Sequence, residues 1–375
     1  MSKILITGTG LYTPPDSITN QELVESLSEA TGKWNAEHRD EIERDELEPR
    51  DMPSEKFIVR ASGIGHRYVL DKKGVLDPSR LRPRLPLRSE DELSIQAEIS
   101  VAAAREALAQ AGLEGGDIDC VIVGCSNLQR AYPAVAIEVQ QALGAGGFAY
   151  DMNVACSSAT FAIQNGVDAL RSGNARRVLV LNPEITSGHN NFALREFHFI
   201  FGDACTAVVL ETDETAGSGE SWEVLGTRLA TVFSNNIRND AGFLNPSEDG
   251  ERDPFELVFR QNGRQVFKEV CPMVAEHIAD HLAALEVPVD SIRRLWLHQA
   301  NLGMNVLIAK TLLGRDPEPE ESPVILDEYA NTSSAGSVIA FHKHRDGLAV
   351  GETAVLCSFG AGYSVGSVVL RKRSD

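Results

Sequence analysis

Basic charge is in short supply: 35 Lys and Arg stand against 54 Asp and Glu over 375 residues, a formal net charge of −19. A chain this acidic lacks the basic face that holds nucleic acid, and that class of function is excluded. Cysteine is scarce as well, with six residues at 120, 125, 156, 205, 271 and 357. They show no paired metal-type spacing and mostly sit in apolar, strand-like surroundings. Neither a metal site nor a disulfide framework is expected, and the usage fits a reducing compartment. No apolar run approaches the roughly 20 residues that cross a bilayer. The opening Met1-Ser2-Lys3-Ile4-Leu5-Ile6-Thr7-Gly8 is too short for a signal peptide and reads as a first strand, so a cytoplasmic protein that does not engage membranes is expected. The third glycine of a dinucleotide fingerprint is also missing. After the Gly8-Thr9-Gly10 turn come Thr13, Pro14 and Pro15, which deny both the motif and its helix.

What remains is an ordinary globular composition, 43% apolar and 24% charged, in a chain long enough for two core-sized domains. Asn20 is placed as the cap of a short helix through Leu23 and Leu27. Residues 35–51 carry eight acids and three Arg and read as a solvated helical insertion. Residues 72–90 are the most basic stretch, with Lys72, Lys73, Arg80, Arg82, Arg84 and Arg88. That stretch is either a plain surface loop or a dock for phosphate or an acidic partner.

From Asp91 to Ala111 the apolar spacing is helical and Gly112 stops it; Ile118 to Val123 then reads as a buried strand of a parallel sheet. The same sentence recurs downstream, with a helix from Val274 to Leu285 and a buried strand from Ile292 to Leu297. At one fixed offset Ile118 falls on Ile292, Val121 on Leu295, Val123 on Leu297 and Asn127 on Asn301. Each strand is followed by a helix ending in Leu-Gly, at Leu143-Gly144 and Leu313-Gly314. One residue further in offset, Ala155-Cys156-Ser157-Ser158 falls on Ala330-Asn331-Thr332-Ser333. A third pairing sets Gly8-Thr9-Gly10 against Phe359-Gly360-Ala361-Gly362. The chain is read as a duplicated α/β unit. Residues 1–215 form the half with the candidate nucleophile and both insertions, and residues 216–375 the second half. Loops at the carboxyl ends of strands in both halves then meet at one crevice.

Cys156 follows an apolar strand-like run and opens a helical pattern through Ile163, Val167 and Leu170. A lone cysteine in apolar surroundings is more often an inert small hydrophobe. At a helix N-terminus, however, unsatisfied N–H groups and the dipole favour the thiolate, the nucleophilic form. His298, in Leu297-His298-Gln299-Ala300-Asn301, lies just past a buried strand, where a structural histidine is the commoner case. Asn331 opens Asn331-Thr332-Ser333-Ser334-Ala335-Gly336-Ser337 and could be no more than a helix cap. Together with the Phe359-Gly360-Ala361-Gly362-Tyr363 turn they fit acyl transfer through a thioester. Cys156 takes the acyl group, backbone N–H groups of Cys156 and of the glycine turn receive the oxyanion, and His298 and Asn331 are neutral donors to a developing enolate.

The cysteine segment, His298-Gln299-Ala300-Asn301, Asn331-Thr332-Ser333 and the terminal glycine turn resemble β-ketoacyl-[acyl-carrier-protein] synthase III, of the thiolase-like fold family, along nearly the full chain. The resemblance implies a duplicated α/β fold in five αβαβα layers, a homodimer, no cofactor, and a ping-pong decarboxylative Claisen condensation. Acyl-CoA loads Cys156, malonyl-acyl-carrier-protein loses carbon dioxide, and the enolate attacks the acyl-enzyme to give 3-ketoacyl-carrier protein for fatty acid synthesis. It also implies that the Ala361 N–H completes the oxyanion hole with that of Cys156. Tyr132 would close the acyl pocket of a neighbouring subunit, and Phe201 and Phe267, with Gly360 and Gly362 beside them, would line the pocket. Three positions depart from the family. Gly303 replaces an arginine that grips carrier protein or CoA, and Phe57 and Ala61 stand where a tryptophan and an arginine clasp the adenine. Docking on Arg80, Arg82, Arg84 and Arg88 is expected instead. The insertions, Tyr132-Pro133 and the cysteine segment are similar to the subgroup primed by a medium-chain, octanoyl-like acyl-CoA. Two alternatives stay open: a thiolase-fold acyltransferase or head-to-head condensing enzyme of secondary metabolism, and a Cys-His-Asn hydrolase. The papain-type flanking run is absent, which weighs against the hydrolase.

Overall fold

In the computed structural model, residues 2–253 and 256–374 are described. Nine strands form one sheet: β1 (Ile4–Tyr12), β2 (Cys120–Gly124), β3 (Phe148–Met152), β4 (Arg177–Glu184), β5 (Ala204–Thr212), β6 (Ser221–Thr231), β7 (Ile292–Leu297), β8 (Thr353–Gly360) and β9 (Ser364–Ser374). They run across it as β7-β8-β9-β6-β1-β5-β4-β2-β3. The centre is β1 against β6, in register at Leu5↔Glu223 and Ile6↔Trp222. Outward from that seam the two halves repeat one pattern. β1–β5 and β6–β9 are antiparallel, β5–β4 and β9–β8 are antiparallel, and β4–β2 and β8–β7 are parallel. β3 alone has no counterpart.

The strands alternate their faces between two cores, as period-two geometry requires. Cys120, Ile122, Val178 and Val180 face a central core with the helices Ser158–Arg171 and Ala335–His344, and the second half's Trp296, Leu356 and Leu370 face it from the other side. Val121, Val123, Leu179 and Leu181 face outward onto the helices Ile95–Ala111 and Val135–Leu143. Leu295, Leu297, Val355 and Cys357 do the same against the helices Gly263–Ala284 and Leu302–Leu313. The result is five layers, helix–sheet–helix–sheet–helix, and a thiolase-like fold. The two Leu-Gly helix ends are matching caps, with φ of 68° at Gly144 and 70° at Gly314. Among the described residues no helix is long and apolar enough to cross a membrane.

Four readings are corrected. Gly8-Thr9-Gly10 is the middle of β1, not a turn, because a Cβ on Gly8 or Gly10 would lie 2.1 or 2.0 Å from the carbonyl oxygen of Ala107 or Ala103. Those glycines let a helix lie directly on the strand, and β1 corresponds to β6, so the third internal pairing fails. The first helix runs from Asn20 to Glu37 and is capped by Thr19 in a capping box with Glu22; the Asn20 amide is buried, bonding the Ile64 carbonyl and Arg67. The 35–51 segment is helical only to Glu37 and again over Arg39–Glu43, and is exposed beyond. The helix placed at Val274 starts earlier, at Gly263.

Candidate active site

Each half delivers its functional side chain from a strained hinge. Ala155 has φ 46° and Ala330 φ 56°, left-handed values that cost a Cβ-bearing residue on the order of 1 kcal/mol. Each turns the chain so that the next residue, Cys156 or Asn331, points at the crevice and not along its strand or helix. Neither opens its helix directly: the helices start at Ser158 and Ala335. Around Ala155 the turn is locked by Val154 N–H to Ser158 Oγ (2.9 Å) and Ser158 Oγ to the Ala155 carbonyl (2.7 Å). Asn331 is pinned in a short bridge, its N–H donating to the Ile200 carbonyl (3.0 Å) and its carbonyl accepting from Gly202 N–H (3.1 Å).

Cys156, His298, Asn331 and Gly360 line one cavity of about 970 Å³. Gly360, at the end of β8, is there for space: a Cβ would sit 2.6 Å from Cys156 Cβ and 3.1 Å from its sulfur. Ser333, itself at φ 50°, joins all three side chains. Its hydroxyl donates to Cys156 Sγ (3.4 Å), its N–H donates to Asn331 Oδ1 (2.9 Å), and its backbone lies beside the His298 ring. With Oδ1 occupied, the Asn331 Nδ2 amide is the donor left for the cavity.

The thiolate expectation is overturned. The half-buried Cys156 has its thiol pushed up to about 11 by desolvation, which outweighs the opposing hydrogen bonds from Ser333, the Ala361 N–H and its own N–H. The negative charge of Glu184 adds to it. The Ala361 and Cys156 N–H groups at the sulfur are the pair that suits an oxyanion. Burial likewise lowers His298 to about 4, so the imidazole is neutral; it packs edge-on against Phe359 at 5.2 Å.

A smaller chamber, about 80 Å³, adjoins Cys156 and Ala361 and is lined by Phe201, Ile237 and Phe259. Phe267 belongs instead to the large cavity, with Phe57, Ala61 and Gly303. Gly362 lines neither cavity and has φ 131°. Tyr132 is 83% exposed and lines neither. Nor do the four arginines of the 72–90 segment: Arg84 pairs with Asp77, Arg88 with Glu92 and Glu98, and Arg80 bonds the Arg82 and Pro83 carbonyls. The cations that do line the large cavity are Arg60, Arg264 and Lys310; Lys310 pairs with Asp316 (2.8 Å). The Arg195 guanidinium covers the Phe57 ring at 4.4 Å and is held by Asp51.

Sequence reasoning missed Ser333, Phe259, Ile237, Arg264 and Glu184. Ser333 lay inside a motif already singled out; Ile237 and Phe259 come from an excursion that folds back, while Glu184, at the end of β4, and Arg264, in the helix Gly263–Ala284, reach the site through the packing of distant segments.

Two sequence profiles match, 3-oxoacyl-[acyl-carrier-protein (ACP)] synthase III over residues 150–231 and its C-terminal region over 282–372. The β-ketodecanoyl-[acyl-carrier-protein] synthase of Pseudomonas aeruginosa is 58% identical over 349 residues, 93% of this chain and 100% of that protein. The β-ketoacyl-[acyl-carrier-protein] synthase III of Granulibacter bethesdensis is 29% identical over 99% of this chain and 100% of its own length. The crystal structure of 3-oxoacyl-[acyl-carrier-protein] synthase III from Aquifex aeolicus superposes with a TM-score of 0.75 at 25% identity, covering 99% of this chain and all of that one.

Proposed function

This chain belongs to the 3-oxoacyl-[acyl-carrier-protein] synthase III family, and from that premise we propose that it condenses an acyl-CoA primer with malonyl-acyl-carrier-protein in fatty acid synthesis. The observation that carries the reading is the meeting of Cys156, His298 and Asn331 on one cavity, with Gly360 leaving the sulfur clear. The Cys156 sulfur attacks the primer thioester while the Cys156 and Ala361 N–H groups hold the oxyanion, and the thiol proton leaves with CoA. The malonyl thioester then places its carbonyl against His298 and Asn331. Carbon dioxide departs, and its bonding electrons form an enolate that neutral donors stabilise without protonating. The enolate carbon attacks the acyl-enzyme, the carbon–sulfur bond to Cys156 breaks, and the thiolate regains a proton. Every reactant is a thioester, so the chemistry calls for no cofactor.

The primer is medium chain, octanoyl-like, in this reading. It rests on the relative whose name specifies a β-ketodecanoyl product, octanoyl plus the two malonyl carbons left after carbon dioxide departs. Phosphate-bearing CoA and carrier protein dock at Arg60 and Arg264, exposed guanidinium groups at the cavity without an acidic partner among the described residues, in preference to Arg80–Arg88. The protein acts as a homodimer: the half-exposed edge strand β3 and the outward Tyr132 support a second copy on that side.

Incubation with acyl-CoAs of graded length followed by intact mass measurement tests the reading. The wild type gains an acyl group, best from octanoyl-CoA, and Cys156→Ser gains none that hydroxylamine releases. A wild type that stays unmodified with every primer ends the proposal.

A further inference from the structure

Glu184, at the end of β4, is fully buried, and every polar contact it makes is from a neutral donor. Ser126, after β2 in the first half, gives it an N–H at 3.0 Å and a hydroxyl at 2.6 Å. Ser334, in the second half, gives an N–H at 3.2 Å and its hydroxyl. The Cys125 thiol stands at 3.7 Å. We propose that Glu184 is a positioning residue, whose carboxylate holds the thiol arm and the imidazole–amide arm of the site in register and sets the charge beside Cys156. This rests on the condensing reaction proposed above.

Two connected arms leave the carboxylate. On one side the Ser126 carbonyl accepts from Asn153 Nδ2 (3.0 Å), and Asn153 Oδ1 accepts from the N–H of Ala155 (2.9 Å), the strained residue that aims Cys156. On the other, Ser334 directly follows Ser333, which contacts the Cys156 sulfur, Asn331 and His298. Ser333 spans the arms as well, its hydroxyl donating to the Cys156 sulfur, and Glu184 ties the bases of the two arms behind it. Five donors reach its two oxygens, more than an amide with a single accepting oxygen could take, and the serine bonds favour the ionised carboxylate against the burial that raises its pKa. The charge acts on the sulfur: it disfavours the thiolate, in the same direction as burial. A resting thiol is spared oxidation and alkylation until a thioester arrives. The other titratable groups facing this region are Cys125, Cys205, Asp203, His189 and His298; burial holds both thiols protonated and both imidazoles neutral, and it raises Asp203 to about 6.

Glu184→Gln, Ser126→Ala and Ser334→Ala test this in the full-length protein, each checked for folding by circular dichroism. In Glu184→Gln the pH profile of Cys156 alkylation by iodoacetamide moves acid by about one unit, which is about tenfold faster reaction at neutral pH. Ser126→Ala slows acyl loading, read by intact mass, more than carbon dioxide release from malonyl-carrier protein; Ser334→Ala does the reverse. An unchanged alkylation profile in Glu184→Gln overturns the electrostatic part. Serine variants that lower both half-reactions equally overturn the two-arm part, and they decide it if Glu184→Gln does not fold. Alkylation requires no thioester, so a wild type that fails to load or decarboxylate sinks the condensing reaction and leaves the Glu184 result readable.

Discussion

Cys156 holds its proton at neutral pH, since its thiol stands at about 11. Its alkylation by iodoacetamide is therefore expected to climb about tenfold per unit across about pH 7 to 9, with no plateau; a plateau below pH 8 would contradict the burial argument. His298 titrates in the other direction. Its folded value, about 4, lies under the ordinary 6.5, so protonation is delayed as pH falls. Decarboxylation of malonyl-carrier protein should stay flat from about pH 8 down to 5.5, where an unburied histidine would already have charged. Gly360→Ala places a Cβ 2.6 Å from Cys156 Cβ, and acyl loading should fall by about a hundredfold or more, the cost of misplacing a nucleophile by about 1 Å. Intact-mass kinetics on a variant with a wild-type circular dichroism spectrum check it. Cys156 and His298 were legible because each lies between a strand and a helix, and Asn331 because it opens the small-residue run before one. The protonation state of the sulfur was not, because it depends on how much distant chain folds over it.

Among the elements, the excursion between β6 and the helix Gly263–Ala284 was not foreseen at all. Its two-stranded hairpin, Ile237–Arg238 against Arg260–Gln261, is knotted by Asp240, which pairs with Arg238, Arg252 and Arg260. It carries Ile237 and Phe259 into both cavities. Phe259 meets Phe201 edge-to-face at 4.7 Å and so walls the small chamber beside the sulfur. Phe259→Ala is expected to move primer preference toward longer acyl-CoAs, read as the ratio of kcat/KM for dodecanoyl- and octanoyl-CoA, with a rise of about tenfold for a wall of this size removed. Sequence periodicity finds helices and buried strands, but an irregular loop has no period to find. The same limit explains the glycines of β1: their spacing suggests a turn, and only the helix lying on them shows a strand.

At the scale of the molecule the repeat was readable because both halves had to bury the same strand and close the same helices. The seam at β1 and β6 and the unmatched β3 were not, since sheet order is set by pairing across the whole chain. The acidic balance also acts at this scale. In the proposed reading CoA and carrier protein are anions approaching a body with net charge −19, and the cavity they would enter has Arg60 and Arg264 exposed, without an acidic partner among the described residues. Substituting both with Ala should raise KM for malonyl-carrier protein about tenfold with kcat little changed, as loss of uniform binding requires. The two arginines also put a near attraction inside a far repulsion. Modest salt, which shortens the Debye length to about 10 Å, should hush the distant repulsion and speed arrival, while strong salt loosens the final grip. Turnover at low substrate should then peak at an intermediate ionic strength, a hump that the double variant flattens.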